Sequence, residues 1–372
     1  MKIGCIKEIK RHEYRVGLTP ACVQSYTRHG HAVMIEAGAG EGAGFSDAEY
    51  VAAGAVIEGD KKTIFAVSEM IVKVKEPLPE EYDLFRPGQI LYTYLHLAAD
   101  RTLTDAMLAK KVTGIAYETI ETDDRLLPCL KPMSEIAGRL SVQEGAKFLE
   151  RPFGGRGVLL GGVPGVPRGK VAIIGGGVVG ANACRMAVGM GAEVTVLDIS
   201  AERLAYLDDI YHGAITTLHS NAGNIADVVK ASDLVIGAVL VTGAKAPHLI
   251  RREHLATMKK GSVIVDVAVD QGGCCETTKA TTHDNPVYTV DGVVHYAVAN
   301  MPGAVALTST RALTSTTLKY GRLLADHGFK EACRLSKELA RGLNVHDGRC
   351  SCPGVAAAFG LTLAPVEEII GG

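Results

Sequence analysis

The stretch from Lys170 to Asp198, KVAIIGGGVVGANACRMAVGMGAEVTVLD, limits what this chain can fold into more than any other. A short apolar run, Val171 to Ile174, runs into three glycines. An apolar helical segment follows from about Val178 to Met190, with Gly191 as its stop. A second apolar run, Val194 to Leu197, ends in Asp198. Strand, glycine turn, helix, strand and acid together form the opening unit of a parallel α/β sheet. The glycines fall as Gly175-x-Gly177-x-x-Gly180. Gly175 suits a tight turn, Gly177 lets a pyrophosphate approach the backbone, and Gly180 lets the helix press on the sheet. N–H groups at the positive end of the helix dipole then face the phosphates. Asp198 can accept hydrogen bonds from the adenosine ribose hydroxyls and repels a 2′-phosphate, which points to NAD rather than NADP.

A chain of 372 residues is long enough for two domains, each with its own core. Lysine and arginine number 39 against 41 aspartates and glutamates, a net charge of −2. No basic excess calls for nucleic acid or a membrane surface. The apolar runs are broken well before they could span a bilayer. The opening residues, MKIGCIKEIKRHEYR, pass from a strand-like run straight into charge, unlike a signal peptide. Nine scattered cysteines, an odd number, suit a reducing cytoplasm better than a disulfide framework.

The first third alternates strand and helix without a glycine fingerprint. Lys2 to Ile6 reads as a strand, followed by a charged loop from Lys7 to Thr19 and a helix opened by Pro20. Met70 to Val74 and Gln89 to Leu95 read as further strands. Arg15 lies in the loop after the first of these strands, and Lys75 and His96 directly follow the other two. Ligands of open α/β sheets bind at the carboxyl ends of strands, so the three converge if the strands are parallel. Arginine grips a carboxylate bidentately, lysine supplies a point charge, and histidine carries protons near neutral pH. Singly, each also has a plain reading: a surface charge, a solvated strand end, a half-buried histidine. Asp270 follows the strand in VIVDVAVDQGG and is a fourth candidate, whereas Asp266, inside that strand, suits a structural role.

Ser134 reads as the N-cap of a helix through about Glu150, and the glycine- and proline-rich stretch from Arg151 to Gly169 as a connection. Asn300 to Gly303 reads as the crossing back, with helices over Arg311 to Leu324 and Glu331 to Leu339 returning to the first domain. The expected organisation is therefore α/β: two Rossmann-like, doubly wound domains with a cleft between them. The substrate domain comprises 1–129 and 304–372, and the NAD-binding domain, 130–303, is inserted into it. His346, Cys350 and Cys352 lack the spacing of a standard zinc site, and a loose tail is the expectation there, with no metal. Cys274 and Cys275 read as structural.

These segments resemble the alanine dehydrogenase/transhydrogenase family. KEIKRHEYRVGLTP, VKVKEP, YLHLAAD, PMSEIAGRL, GGRGVLLGGVPGV, SDLVIGAVLVTGAKAP, VDVAVDQGG and VANMPGAV all stand where that family has its signatures, from the N-terminus to about Leu343. The resemblance implies reversible oxidative deamination of L-alanine to pyruvate and ammonium with NAD. It implies substrate binding by Arg15 and Lys75 and acid–base roles for His96 and Asp270. It implies nucleotide contacts at Ser134, Val178, Asp198, Arg203, Ser220, Val239, Leu240, Val267, Asp270, Lys279, Val298, Asn300 and Met301, beside the three glycines. A cytoplasmic homohexamer is the implied state. The alternatives are an opine- or saccharopine-type dehydrogenase, and the NAD-binding subunit of a transhydrogenase.

Overall fold

Short runs of aliphatic and β-branched residues form strands, the central ones buried along most of their length and those toward the sheet edges partly exposed, and capped segments between them form helices. The computed structural model describes residues 1–239 and 246–371. They fall into two compact units, Met1–Met133 with the chain from Gly303 onward, and Ser134–Pro302.

The first unit holds an eight-stranded sheet of β1 (Lys2–Cys5), β2 (Ala32–Glu36), β3 (Val56–Glu58), β4 (Met70–Val72), β5 (Ile90–Thr93), β6 (Thr113–Ala116), and two strands from the chain's end, described below as β14 and β15. From β1 the chain builds outward through β2 and β3, then returns to β4 on the other side of β1 and continues to β5 and β6, all parallel. Connecting helices start at side-chain caps: Asp60 accepts from the Lys62 and Thr63 amides, and Asp100 from that of Leu103.

The second unit holds β7 (Lys170–Ile174), β8 (Glu193–Asp198), β9 (Thr216–His219), β10 (Leu234–Gly237), β11 (Val263–Asp266), β12 (Val287–Val290) and β13 (Val293–Tyr296). Their order is β12-β13-β11-β10-β7-β8-β9. Only the edge strand β12 runs antiparallel. Here too the chain builds one way from β7 and then reverses, which puts the topological switch between β7 and β10. The architecture is α/β, doubly wound in each unit.

Three details differ from expectation. Ser134 is no N-cap, because the helix begins earlier and runs Lys131–Phe148. A turn closes first, with the Leu130 and Lys131 amides donating to the Leu127 carbonyl, and Pro132 fills the first helical turn, where its missing N–H costs nothing. The last helices are nearly one, Ala306–Leu335, interrupted at Gly328 (φ 72°, ψ 163°), with Ser336 capping the short helix Lys337–Arg341. The segment after Leu343 is not a loose tail. β14 (Leu343–His346) pairs antiparallel with β6, and β15 (Arg349–Cys350) pairs with β14. Val345, Cys350, Val355 and Ala356 are buried in the core of this unit. An otherwise open β6 edge gives the tail its hydrogen bonds, and that apolar set gives it burial.

Candidate functional site

Every parallel strand of the second unit delivers a candidate residue to the same sheet edge. At the centre, β7 ends in Gly175, whose φ of 101° is one that L side chains rarely adopt. A Cβ there would also lie 2.7 Å from the Ala238 carbonyl oxygen, across the switch point. Gly177 precedes the helix Val178–Gly189, and a Cβ on it would meet nothing within 4 Å. A Cβ on Gly180 would sit 1.7 Å from the Gly175 carbonyl oxygen, so only glycine lets the helix seat against the turn. The helix ends as expected, with Gly191 at φ 81°. Open space over Gly177, N–H groups at a helix start and a position at the switch point together fit a dinucleotide pyrophosphate.

Asp198 ends β8. Its Oδ2 accepts the Gly176 N–H at 2.6 Å and its Oδ1 the Ser200 N–H at 2.8 Å. The carboxylate therefore holds the glycine turn. Arg203 donates its Nε to the Gly176 carbonyl, closing the same turn from the following helix. Val178 is exposed in the first turn of its helix. Ser134 lies one turn before Gly138, where a Cβ would come within 2.2 Å of the Val179 carbonyl, so the two helices touch near the phosphate turn.

The remaining nucleotide candidates follow the other strands. Ser220 follows β9 and donates its N–H to Asp198 O. Val239 follows β10, and Val267 follows β11 with its N–H on Gly237 O. Leu240 lies outside the described residues. Asp270 is exposed on a single helical turn, Val269–Gln271. Buried Val298 and Met301, and Asn300 at φ 66°, follow β13. Lys279 is set apart on the loop before β12, its N–H on the Tyr288 hydroxyl at 2.7 Å. Asp266 is structural as expected: buried, it accepts from the Ala268, Cys274 and Cys275 amides and the Thr278 hydroxyl. Cys274 and Cys275 are buried beside it. Burial pushes both thiols up, away from thiolate reactivity.

In the first unit Arg15, Lys75 and His96 also share a sheet edge. β1 and β4 flank that sheet's own switch point, and β5 lies next to β4. Arg15 is buried and paired with buried Glu13, through Nε to Oε1 at 2.7 Å and Nη2 to Oε2 at 2.5 Å. Its Nη1 lies 3.0 Å from Met133 Sδ. Burial opposes the charge on Arg15, but Glu13 outweighs it and holds the guanidinium protonated. Lys75 Nζ stands 3.9 Å from Glu76 Oε2, and Lys10 donates to the same carboxylate. Burial would raise the Glu76 carboxyl, but Lys75 and Lys10 overcome this and hold it below its usual range.

His96 is exposed and left-handed at φ 49°, with its ring stacked 5.8 Å from that of Tyr94. Glu118, just past β6, accepts the His96 N–H at 2.6 Å and the Leu95 N–H at 3.1 Å, and its Oε1 lies 4.0 Å from His96 Nδ1. The carboxylate thus stabilises a backbone conformation that a non-glycine residue rarely adopts. Sequence reasoning missed Glu13, Tyr94 and Glu118. The only signal lay in register: each follows the carboxyl end of a parallel strand or neighbours a candidate in the chain.

Comparison with known proteins covers both units. Residues 4–137 match the model of the alanine dehydrogenase/PNT N-terminal domain, and residues 141–353 that of the C-terminal domain. An alanine dehydrogenase of Methanococcus maripaludis is 56% identical over 371 residues, covering 100% of both chains. A solved L-alanine dehydrogenase superposes with a TM-score of 0.94 at 55% identity, over 97% of this chain and 99% of the other. A Sinorhizobium meliloti transhydrogenase shares the fold, with a TM-score of 0.81 at 24% identity over 95% of this chain and 99% of that one.

Proposed function

The chain belongs to the alanine dehydrogenase/PNT family, and from that premise we propose that it catalyses L-alanine + NAD⁺ + water ⇌ pyruvate + ammonium + NADH + H⁺. The observation that carries this reading is the 56% identity to an alanine dehydrogenase over the full length of both chains. The glycine turn, with Asp198 and Arg203 closing it, would hold NAD, which when bound supplies the hydride acceptor. Arg15, its plane fixed by Glu13, grips the substrate carboxylate, and Lys75 fixes the carboxylate or carbonyl end. His96 moves protons at its imidazole as water adds to the imine carbon and ammonia departs, and the Asp270 carboxylate serves as the second acid–base group.

The likeness to a transhydrogenase is one of fold, and nothing favours an opine-type reaction. NADH oxidation by the purified protein separates the three readings. Pyruvate with ammonium should consume NADH, and pyruvate alone should not. Consumption that needs a second amino acid in place of ammonium would mark an opine-type enzyme. Consumption that needs neither, but a second nicotinamide nucleotide, would mark a transhydrogenase.

The working state we propose is a homohexamer in the cytoplasm. Among the described residues all nine cysteines are free thiols, as suits a reducing compartment. No described helix is long and apolar enough to cross a membrane. Exposed Leu159, Val163 and Val166 on the glycine-rich connection offer apolar surface to a second copy. Light scattering should give about six times the 39.2 kDa chain mass, and a monomer mass would rule the hexamer out.

A further inference from the structure

Buried charges are costly, and an ion pair in a core is often no more stable than apolar side chains of the same volume. The first unit nevertheless keeps three together directly behind Lys75. Lys73 is 0% exposed, Glu81 1% and Glu8 8%. Lys73 Nζ donates to Glu8 Oε2 at 3.2 Å and to Glu81 Oε1 at 3.1 Å. Burial works against every charge in the cluster: at Lys73 the two carboxylates outweigh it and keep the ammonium, whereas at Glu8 burial pushes the carboxyl up against the pull of Lys73 and the Val74 amide.

The two carboxylates differ in what else they hold. Glu81 turns back to the start of its own helical turn, accepting the Leu78 N–H at 3.1 Å. Glu8 reaches across to the end of β4, where its Oε1 accepts the Val74 N–H at 2.6 Å and the Lys75 N–H at 3.2 Å. The β1 ladder has ended there, its last pair being Cys5 with Val72. The Glu8 side chain therefore continues that ladder for two more residues. On the other side, Val74 O accepts from Tyr94 N, and Lys75 O from the Thr93 hydroxyl at 3.1 Å. Glu8 also stands at the head of the loop that carries Arg15, so one carboxylate ties the two segments proposed to bind substrate.

We propose that Glu8 is a positioning residue for Lys75: through Lys73 it is fixed in the core, and through its Oε1 it sets the backbone from which Lys75 reaches the substrate. This rests on Lys75 binding substrate. Reach and charge can be separated. Glu8→Asp keeps the charge beside Lys73 but withdraws the oxygens from the two amides. Glu8→Gln keeps an oxygen at the amides but removes the charge. Glu81→Gln removes the same charge from the same cluster without touching Lys75. Glu8→Asp should raise the Michaelis constant for alanine about tenfold or more, the scale of a misplaced binding group. NADH affinity, measured by fluorescence, should stay within twofold or so of the parent value. Glu81→Gln should melt at lower temperature yet keep a Michaelis constant near the parent value, and Glu8→Gln, which loses the ion pair that fixes it but keeps an acceptor at the amides, should raise that constant less than Glu8→Asp. A Michaelis constant unchanged in Glu8→Asp, or one that simply follows melting temperature across the three variants, overturns the proposal. Lys75→Ala is measured alongside. If it leaves the Michaelis constant unchanged, the reading of Lys75 itself fails. If it raises that constant while Glu8→Asp does not, only the role of Glu8 fails.

Discussion

Gly177 and Gly180 look alike in the motif but do different physical work. At Gly177 a methyl group would meet nothing within 4 Å and the backbone is extended, at φ −63°. Gly177→Ala should therefore melt like the parent while losing NADH affinity, because the methyl would occupy the space of the pyrophosphate. At Gly180 the same methyl would lie 1.7 Å from a carbonyl oxygen, so Gly180→Ala should lose stability as well, by about 1–3 kcal/mol for an overpacked contact. Paired melting curves and NADH titrations check both, and equal melting temperatures for the two variants would refute the distinction. Asp198 adds a second test. Asp198→Ala should weaken NAD and narrow its advantage over NADP, and an unchanged ratio of the two affinities would remove the ribose role. These residues could be read in the sequence because phosphate binding demands glycines at short, fixed spacing. Glu13, Glu118 and Glu8 could not. Glu13 is hidden as one charge among many in its loop, Glu118 acts 22 residues from His96, and Glu8 acts 67 residues from Lys75.

Elements were legible to within a residue or two where apolar runs were short and bounded, as in β1, β7 and β8. The run from Lys170 to Ile174 could hardly be anything but a buried strand. The helix at Lys131 was misread because a proline in the first turn can open a helix as well as the serine two residues later can cap one. The end of the chain was misread because strands of four and two residues carry little periodicity, and only the β6 edge makes them strands. Inside β13, His295 supports a prediction about acid sensitivity. It is 1% exposed, with Nδ1 3.0 Å from Val293 O and Nε2 2.8 Å from the Thr277 hydroxyl. A carbonyl only accepts, so Nδ1 carries the proton and neutral Nε2 accepts from Thr277. Cys275 Sγ, 3.9 Å away, and the Tyr288 ring, stacked at 5.1 Å, complete its surroundings, and Asp266 and Asp291 are the charged groups that act on it. Burial lowers the His295 pKa in spite of those carboxylates. A depressed histidine contributes stability that is fully present above its unfolded pKa of about 6.5. That contribution is lost as pH falls from there toward the folded value, with a slope of at most about 1.4 kcal/mol per pH unit. Melting temperature should therefore drop between pH 7.5 and pH 5.5 more steeply in the parent than in His295→Gln. Parallel curves would show that this histidine does not titrate with unfolding.

At the scale of the molecule, the chain uses one topological device twice. Each sheet reverses its winding beside its first strand, β1 or β7, and each gathers its candidate residues at the carboxyl ends around that switch. Only the second unit was recognisable in the sequence as a nucleotide site, because only it carries the glycine motif. The first could be recognised only from charged residues standing just past its strands. The duplication suggests how variants should sort. Arg15, Lys75 and His96 belong to the unit formed by Met1–Met133 with the chain from Gly303 onward, and the glycine turn with Asp198 belongs to Ser134–Pro302. Substitutions in the first set should leave NADH binding intact, since none of them lies in the unit that holds the phosphate turn. Arg15→Ala should raise the Michaelis constant for alanine by well over tenfold, as expected when a buried charge-assisted contact worth about 2–5 kcal/mol is lost. His96→Ala should instead act on turnover, lowering it about 10²–10⁴-fold, the usual share of a general acid–base group. Asp270→Asn, although it lies in the second unit, should resemble His96→Ala, because it is exposed on its own helical turn and makes no part of the glycine turn. Fluorescence titration with NADH and steady-state kinetics with alanine distinguish the two kinds of loss. Near-normal turnover in His96→Ala would remove it from the mechanism, and Tyr94 and Glu118 would then hold a histidine of structural use only.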